Sequence, residues 1–597
     1  MNDDDKLKYL IKSYDDWKGY RVKNYDKRFI ESYSLYKSYR DRNISDWQSN
    51  VFLPYVFGLI ETIFPRVMQY LYQGDEFVKA LPREMTDTAQ AEIVNALIQY
   101  QIDTQIPNLF LEKSEMYKSC LIYGTGLGKL TQNVEKRRPE FTAIDIFDLV
   151  VQPFKKHIDE MDGVYHVYDK YVDSLYQMQQ QGLAGYKNIE KLFNTSQSKE
   201  DETDKSKRNS NIGKDARYKD QRNTALIYEY WGKVPVTDRA DLDAGYSTAR
   251  YEDKLIMIAN RKQIIREIPN PYATPSMPEG FKPFIAAKNY IDIGEFYAMG
   301  EVDAIKDLQH EANEMENNML DNLKLIINRM WQVDYTAGID LDTLYSYPGA
   351  IFQMNGLDKM KAIDHRDIPA SYFNSRANML QDIDKASGIF DYTRGANMPG
   401  MTDTVGGITS LIEEANMRFG IKLKVLQMTS VTDFARKLFM LDQIFIKGAD
   451  LPIRIENEMG IEWLNINEDN ISGLYDFKPV GVSMVGSKMA RQNGLIRLAE
   501  LFSKFPPIPP LADQILDEYE IKNKDEILNY LRMMWGMPPE GVQAPGLPGG
   551  QPPVPPQLPG AGGVSGVPLR SDIAAPPANN DAEMGQNLSK LLAAGAR

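Results

Sequence analysis

The feature that most constrains the fold is a proline-free run from Gly294 to Ile327, "GEFYAMGEVDAIKDLQHEANEMENNMLDNLKLII". Within it Val302, Ile305, Leu308, Ala312, Met315, Met319, Leu323 and Ile326 recur at steps of three and four, with Asp, Glu, Asn, Gln and Lys between them. That period predicts a long amphipathic helix with one narrow apolar stripe. Irregular, strand-like sequence follows over 328–368, and Pro369 then opens a second helix, "PASYFNSRANMLQDIDKASGIF", with Phe373, Ala377, Leu380 and Ile383 on one face. The chain thus leaves and returns through two helices that can pack side by side, with a small module at their far end.

On either side of this excursion the texture is mixed, so the expected class is α+β. Residues 1–115 read as helical, as in "DTAQAEIVNALIQYQID", which opens on an Asp/Thr cap. From 128 to 175 the segments "LGKLTQNV", "FTAIDIFDLVVQP" and "GVYHVYDKYV" are rich in β-branched and aromatic residues and predict strands. The almost wholly polar stretch 196–223 predicts a solvated loop. Strands are expected again at "TALIYEYWGKV" and "DKLIMIANRKQIIREIP". After the second helix, 391–407 is glycine-rich and polar, as a mobile loop would be. A helical stretch then runs from Ile408 to about Ile446, with Gly420 as a kink point. Strands are expected at "LPIRIE" and "YDFKPVGVSMV", helices at about 487–504 and 511–535, and a Pro/Gly-rich disordered tail over 537–597.

Composition narrows the function. The chain has 597 residues, 69 basic against 83 acidic, and a formal net charge of −14. A protein built to grip duplex DNA over its whole surface is basic, because phosphate neutralisation supplies most of the affinity. One that DNA must slide past is compatible with this balance. The single cysteine, Cys120, excludes an intrachain disulfide and reads as a small buried hydrophobe in a reducing compartment. The acidic start "MNDDDKLKYL" has no apolar core of a secretory signal. The apolar run 51–72 carries Glu61, Arg66 and two prolines, so a buried or subunit-contacting helix is expected, and no membrane span.

Catalytic patterns were sought and fail. "KSCLIYGTGLGKL" (118–130) invites comparison with a phosphate-binding loop, but Leu130 stands where Ser or Thr would hold magnesium and Tyr123 where the first glycine belongs. The sequence after Lys129 also reads as a strand, whereas a phosphate loop opens a helix. A structural turn from helix to sheet is the simpler reading. His157, His166, His310 and His365 show no metal-ligand spacing. Asp145, Asp148, Asp159 and Asp162 are an acidic cluster of the kind two-metal nucleases use, but surface and turn roles account for them as well. No cofactor, metal or catalytic residue is expected, which favours a structural or interaction protein. The rival readings are a metal-dependent nuclease or packaging-associated enzyme, and a non-viral scaffold with a Pro-rich recruiting tail.

Several stretches, taken in order, resemble the portal (head-to-tail connector) proteins of tailed bacteriophages, most closely those of short-tailed phages. "NISDWQSNVFLPYVFGLIETIFPRV" resembles their N-terminal helical region, and "SEMYKSCLIYGTGLGKLTQNV" the helix, glycine turn and strand that lead into the wing. "YAMGEVDAIKDLQHEANEMENNMLDNLKLI" resembles the first stem helix, and "KPVGVSMVGSKMARQNGLIRLAELF" the passage into the crown.

The resemblance implies a non-enzymatic ring, usually of twelve subunits, at one vertex of the capsid in the virion, assembled in the host cytoplasm. DNA passes through its channel without sequence specificity. The partners implied are the major capsid protein, the terminase large subunit and a tail adaptor protein, for packaging, tail attachment and ejection. Carried onto this chain, the resemblance gives an N-terminal helical region and wing (1–297), stem helices at 298–327 and 369–390, and a clip at 328–368. It also gives a channel (tunnel) loop at 391–407, a long helix with wing strands at 408–483, a crown at 484–536 and the tail from 537. A narrow apolar stripe suits helices that each touch two neighbours in a ring. The expected subunit-interface residues are therefore Ile305, Leu308, Met315, Met319, Leu323, Phe373 and Leu380. The acidic balance suits a wall that repels DNA. Arg394, the only charged residue between Asp391 and Asp403, and Asn397 are the expected DNA-channel contacts. Lys136, Arg137 and Arg138 read instead as a β-hairpin turn.

Overall fold

The computed structural model describes residues 2–39, 45, 47–72, 77–84, 87–134, 136–182, 185–193, 208–210, 212, 223–236, 251–274, 277–328, 330–338, 356–363, 366–388, 419–446, 451–457, 460–479 and 528–529. Residues 1–495 make one compact unit and 496–597 a second, of which Leu528 and Asn529, both helical, are described. The expected channel loop, the crown helices other than those two residues, and the tail lie outside the described residues.

The class is α+β, as expected. The N-terminal part is helical: α1 (Asp3–Arg21), α2 (Lys27–Tyr36), α3 (Tyr55–Tyr72), α4 (Thr88–Tyr100) and α5 (Leu109–Tyr123). It is not helical throughout. Residues 49–54 are without regular structure, and β1 (Val78–Pro82) pairs antiparallel with β14 (Tyr475–Pro479), a partner almost four hundred positions away that local pattern could not signal.

Two sheets form the centre. The larger runs in the order β4 (Leu149–Val151), β5 (Gly163–Tyr171), β6 (Thr224–Pro235), β7 (Tyr251–Ala259), β8 (Gln263–Pro269), antiparallel throughout. Side chains alternate across a strand. Leu226, Tyr228 and Tyr230 of β6 therefore join Ile256 and Ile258 of β7 in a small core beneath α1, where Leu10 and Tyr14 are buried. Ala225, Ile227 and Trp231 face the main core on the other side. Burial on both faces explains why "ALIYEYW" is almost continuously apolar and aromatic. The fold also buries Arg21, at the end of α1. Its guanidinium pairs with Asp26 at 3.0 Å and donates to the carbonyls of Phe147 (3.0 Å) and Leu149 (3.1 Å), tying the N-terminal helices to the sheet.

The second sheet, β3–β2–β9, comprises Arg138–Ile144, Thr125–Asn133 and Phe284–Lys288. Asn133 and Arg138 face each other where β2 turns into β3, so Lys136 and Arg137 lie in a hairpin turn as expected, while Arg138 already opens β3. Further on, α6 (Val172–Gln180) follows β5, and α7 (Glu301–Ile327) and α8 (Ala370–Ser387) are the two excursion helices. Between them the described residues hold a short ladder, β10 (Trp331–Val333) with β11 (Met360–Ala362). The chain is helical again at 419–426, passes through a π-turn at Gln427–Val431 and continues as α9 (Thr432–Phe445). The expected kink at Gly420 is not where the helix is irregular. The hydroxyls of Thr429 and Ser430 donate to the carbonyls of Val425 (2.8 Å) and Leu426 (2.6 Å), competing with the backbone four residues on. The hairpin of β12 (Leu451–Asn457) and β13 (Gly460–Ile466) precedes β14.

Candidate functional site: the paired helices and their base

The glycine run at 124–128 is packing, not a phosphate cradle. Gly124 ends α5 with φ of +92°, and a Cβ there would lie 2.1 Å from the Ala298 carbonyl oxygen. At Gly126 a Cβ would meet the Met116 carbonyl oxygen at 2.0 Å, so only glycine lets β2 lie this close to α5. Lys129 points to the buried carboxylate of Glu229 at 2.6 Å. Glu229 also accepts from Tyr168 (2.8 Å) and the Trp231 indole (2.5 Å); Lys129 leads the influences that outweigh burial and hold its carboxyl down to about 2.

The four aspartates are dispersed. Asp145 pairs with Arg208 at 2.6 Å, Asp159 with Arg436 at 2.7 Å, and Asp162 with the Gln152 amide at 3.0 Å. No group of His, Cys, Asp and Glu among the described residues could hold a metal ion. Arg208 corrects one expectation: it lies in the stretch predicted to be a solvated loop, yet it is buried on a short helical turn against Tyr33 and Tyr123. Cys120 is fully buried, and burial pushes its thiol up to about 12.

The long helix α7 is built from its first turn. Asp303 reaches back to accept from the Gly300 N–H at 2.8 Å, satisfying a donor the helix start would leave open. Its inward face is not the apolar stripe alone. Val302, Ile305 and Ala312 are buried, but so are Gln309, Asn313 and Asn317. These amides, with Asp321, form a ladder against the extended chain preceding α3 and, at Val56, the first turn of α3 itself. Asp321 accepts from Ser49 N–H (2.6 Å), Asn317 from Val51 (2.7 Å), Asn313 from Leu53 (2.9 Å) and Gln309 from Val56 (3.2 Å). Gln309 and Asn317 donate in return to the carbonyls of Leu53 (2.7 Å) and Val51 (2.9 Å). The registers match because four helical residues rise about 6 Å and two extended residues about 6.6 Å. The i, i+4 polar row therefore acts as a strand edge for a segment that lacks one. Carboxamides at that spacing look like a solvated face, so nothing in the sequence marks these residues as a ladder.

Of the residues expected to form the subunit contact, Ile305 is buried within the chain itself. Leu308, Met315, Met319 and Leu380 are half-buried, Leu323 is exposed and Phe373 is 51 % exposed. The pair α7–α8 is joined by the Tyr372 hydroxyl donating to the Met315 carbonyl and by Arg376 on Glu316 at 2.8 Å. On the outer face of α7 the exposed residues include Asp307, Glu311 and Glu314, on successive turns. Arg394 and Asn397 lie outside the described residues.

The base of the excursion is locked. Glu301, the first residue of α7, is bonded to Lys422, and both are buried. Asn289 (2.9 Å) and Tyr290 (3.3 Å) also donate to Glu301. A buried carboxylate needs this many partners to offset its desolvation. The outgoing chain at 301 and the returning chain at 422 are thereby pinned together. A glutamate at a helix start is an ordinary sequence feature, and nothing in the sequence marks Lys422 as its partner.

A family model described as phage SU10 portal protein matches residues 127–492, more than half of the chain, from β2 through both excursion helices and past β14. The chain belongs to the phage SU10 portal protein family. It is a tailed-phage portal protein, in a family whose members are in general structural, non-enzymatic components of the virion capsid, oligomeric and traversed by DNA. No curated protein matches the portal chain. Among its described residues no helix is long and apolar enough to cross a membrane.

Proposed function

We propose that this portal protein forms a ring, of twelve subunits in the usual arrangement, at one capsid vertex of a short-tailed phage. In this reading α7 and α8 are the stem, 328–368 the clip, 391–407 the channel loop and 484–536 the crown. The ring is the conduit for packaging by the terminase, the seat of the tail adaptor, and the route of ejection. It meets the major capsid protein at its rim. The observation that carries the reading is the α7–α8 pair. Its base is clamped by Glu301 and Lys422 and its inner face by the amide ladder, while Leu323, Ile327 and Phe373 stand exposed. A helix pair held so firmly but leaving large apolar residues in water is suited to neighbours on both sides.

The acidic row Asp307, Glu311, Glu314 then suits a wall that DNA slides along, and Arg394 and Asn397 supply the non-specific contacts of the loop. Negative-stain microscopy of the purified chain tests the proposal: rings with a central hole are expected, and a strictly monomeric protein over a wide concentration range overturns it.

A further inference from the structure

Beneath the π-turn of the 419–445 helix lies a pocket of about 370 Å³, open to solvent and lined on its other sides by β9, Phe296 and the turn at 156–160. Two of its cations are already neutralised. Arg436 pairs with Asp159 (2.7 Å) and Asp433 (2.9 Å), and Lys437 pairs with Asp433 at 2.9 Å and donates to the Phe284 carbonyl at 2.6 Å. Lys288 is different. It is only 5 % exposed, and among the described residues its ammonium makes one hydrogen bond, 2.8 Å to the Lys156 carbonyl, lies 5.2 Å from the centre of the Phe296 ring, and has no carboxylate at ion-pair distance, Glu160 acting on it only from farther off. An ammonium has three donors, so two remain. The hydroxyl of Thr432, on the same cavity wall, is buried and has no hydrogen-bond partner. Lys156 and His157 add further basic character at the rim.

Leaving a buried charge and a buried hydroxyl unsatisfied costs free energy that a suitable ligand would recover. The geometry points to this cavity as a binding site for a phosphate group, held by the Lys288 ammonium and the Thr432 hydroxyl. A tetrahedral oxyanion offers acceptors in several directions and a negative charge at contact distance, which Glu160 does not supply. The volume exceeds that of a single ion, so a phosphate carried on a larger molecule also fits. The π-turn that shapes one wall is the kind of helix irregularity that recurs at functional sites. Burial lowers the Lys288 ammonium to about 8, so it is still mainly charged at neutral pH and is charged more firmly once an anion binds. None of the residues that line the site belongs to the helix pair.

The test uses the full-length protein and inorganic phosphate at constant ionic strength, with chloride as the control, read by thermal shift and calorimetric titration. Saturable stabilisation by phosphate over chloride is expected. Lys288→Met and the near-isosteric Thr432→Val should each weaken phosphate binding by about tenfold or more. Thr432→Val keeps the test decisive if Lys288→Met fails to fold. A short DNA duplex that competes with phosphate assigns the group to the DNA backbone. Phosphate binding without such competition assigns it to a free phosphate compound. A wild-type response no larger than chloride's, or unchanged phosphate affinity in a folded Thr432→Val variant, overturns the site.

Discussion

Lys113 carries the least compensated charge in the main core. It is fully buried on α5, its ammonium has no hydrogen-bond partner, and it is sandwiched between the rings of Phe141 (4.2 Å) and Phe434 (3.9 Å). Burial lowers its titration from the ordinary value of 10.5 to about 7. The unfolded chain therefore binds more protons between pH 7 and 10.5, and stability rises with pH across that window. Below about pH 7 the cost is present in full. Lys113→Met keeps the ring contacts and removes the charge, so it should raise stability by about 1–3 kcal/mol at pH 7 or below, with the gain fading toward pH 10. Denaturant melts at a series of pH values check this, and a destabilised variant at pH 6 would show that the two rings outweigh the desolvation. Glu229 behaves oppositely. Its stabilisation is present above the unfolded pKa of about 4.5 and is lost as pH falls toward 2. Glu229→Gln leaves Lys129 buried without its carboxylate and should cost about 3–5 kcal/mol near neutral pH, the cost shrinking below the unfolded value of about 4.5 and small only once pH falls below about 2.

At the scale of the element, α7 shows two faces with different duties. The amide ladder fixes residues 49–56, and its loss would leave backbone N–H groups without partners. Asn313→Leu with Asn317→Leu should therefore destabilise the N-terminal region by about 2–5 kcal/mol, with faster hydrogen exchange confined to Val51, Leu53 and their neighbours. Unchanged exchange there would mean that the segment is held by its side chains alone. The stripe is the face proposed for ring assembly. Leu308→Asp and Met319→Asp should each leave a soluble, folded monomer that no longer forms rings, since a buried unpaired charge costs several kcal/mol at every repeated contact. Sedimentation velocity separates the outcomes, and intact rings in both variants would remove the stripe from the interface.

For the whole molecule, the proposed ring is defined by its channel, and the loop proposed to line it carries the sharpest test. If Arg394 meets DNA phosphates, Arg394→Ala should alter packaging or retention of DNA in particles while rings and capsids assemble normally. The effect should fade as salt rises and be indifferent to DNA sequence, as phosphate contacts are. Genome length and DNA content of particles built with the variant are the measurement. Normal values at low and moderate salt would leave the loop a steric gate. The long excursion from 301 to 422 is also a whole-molecule feature, because one buried ion pair at its root joins parts of the chain that the sequence keeps far apart.

What the sequence determined by itself was what local periodicity can encode. The 3.6-residue period placed α7 and α8 to within a few residues, β-branched and aromatic enrichment marked the stretches that hold β2 to β8 without separating β3 from β4 or β7 from β8, and the order of these segments carried the resemblance to portal proteins. The turn from helix to strand was legible because its neighbours on both sides declared those elements, but it is confined to Gly124, and Gly126 and Gly128 already lie in β2. Tertiary structure alone decided which polar residues are inside. Gln309, Asn313 and Asn317 became a strand-like edge, Arg208 was drawn out of a polar stretch onto two tyrosines, and Lys288 and Lys422 were buried, one with a counter-charge and one without. The physical reason is common to all of them. An apolar residue advertises its burial through its own hydration cost, whereas a polar one is buried only where distant residues satisfy it, and those partners have no local signature.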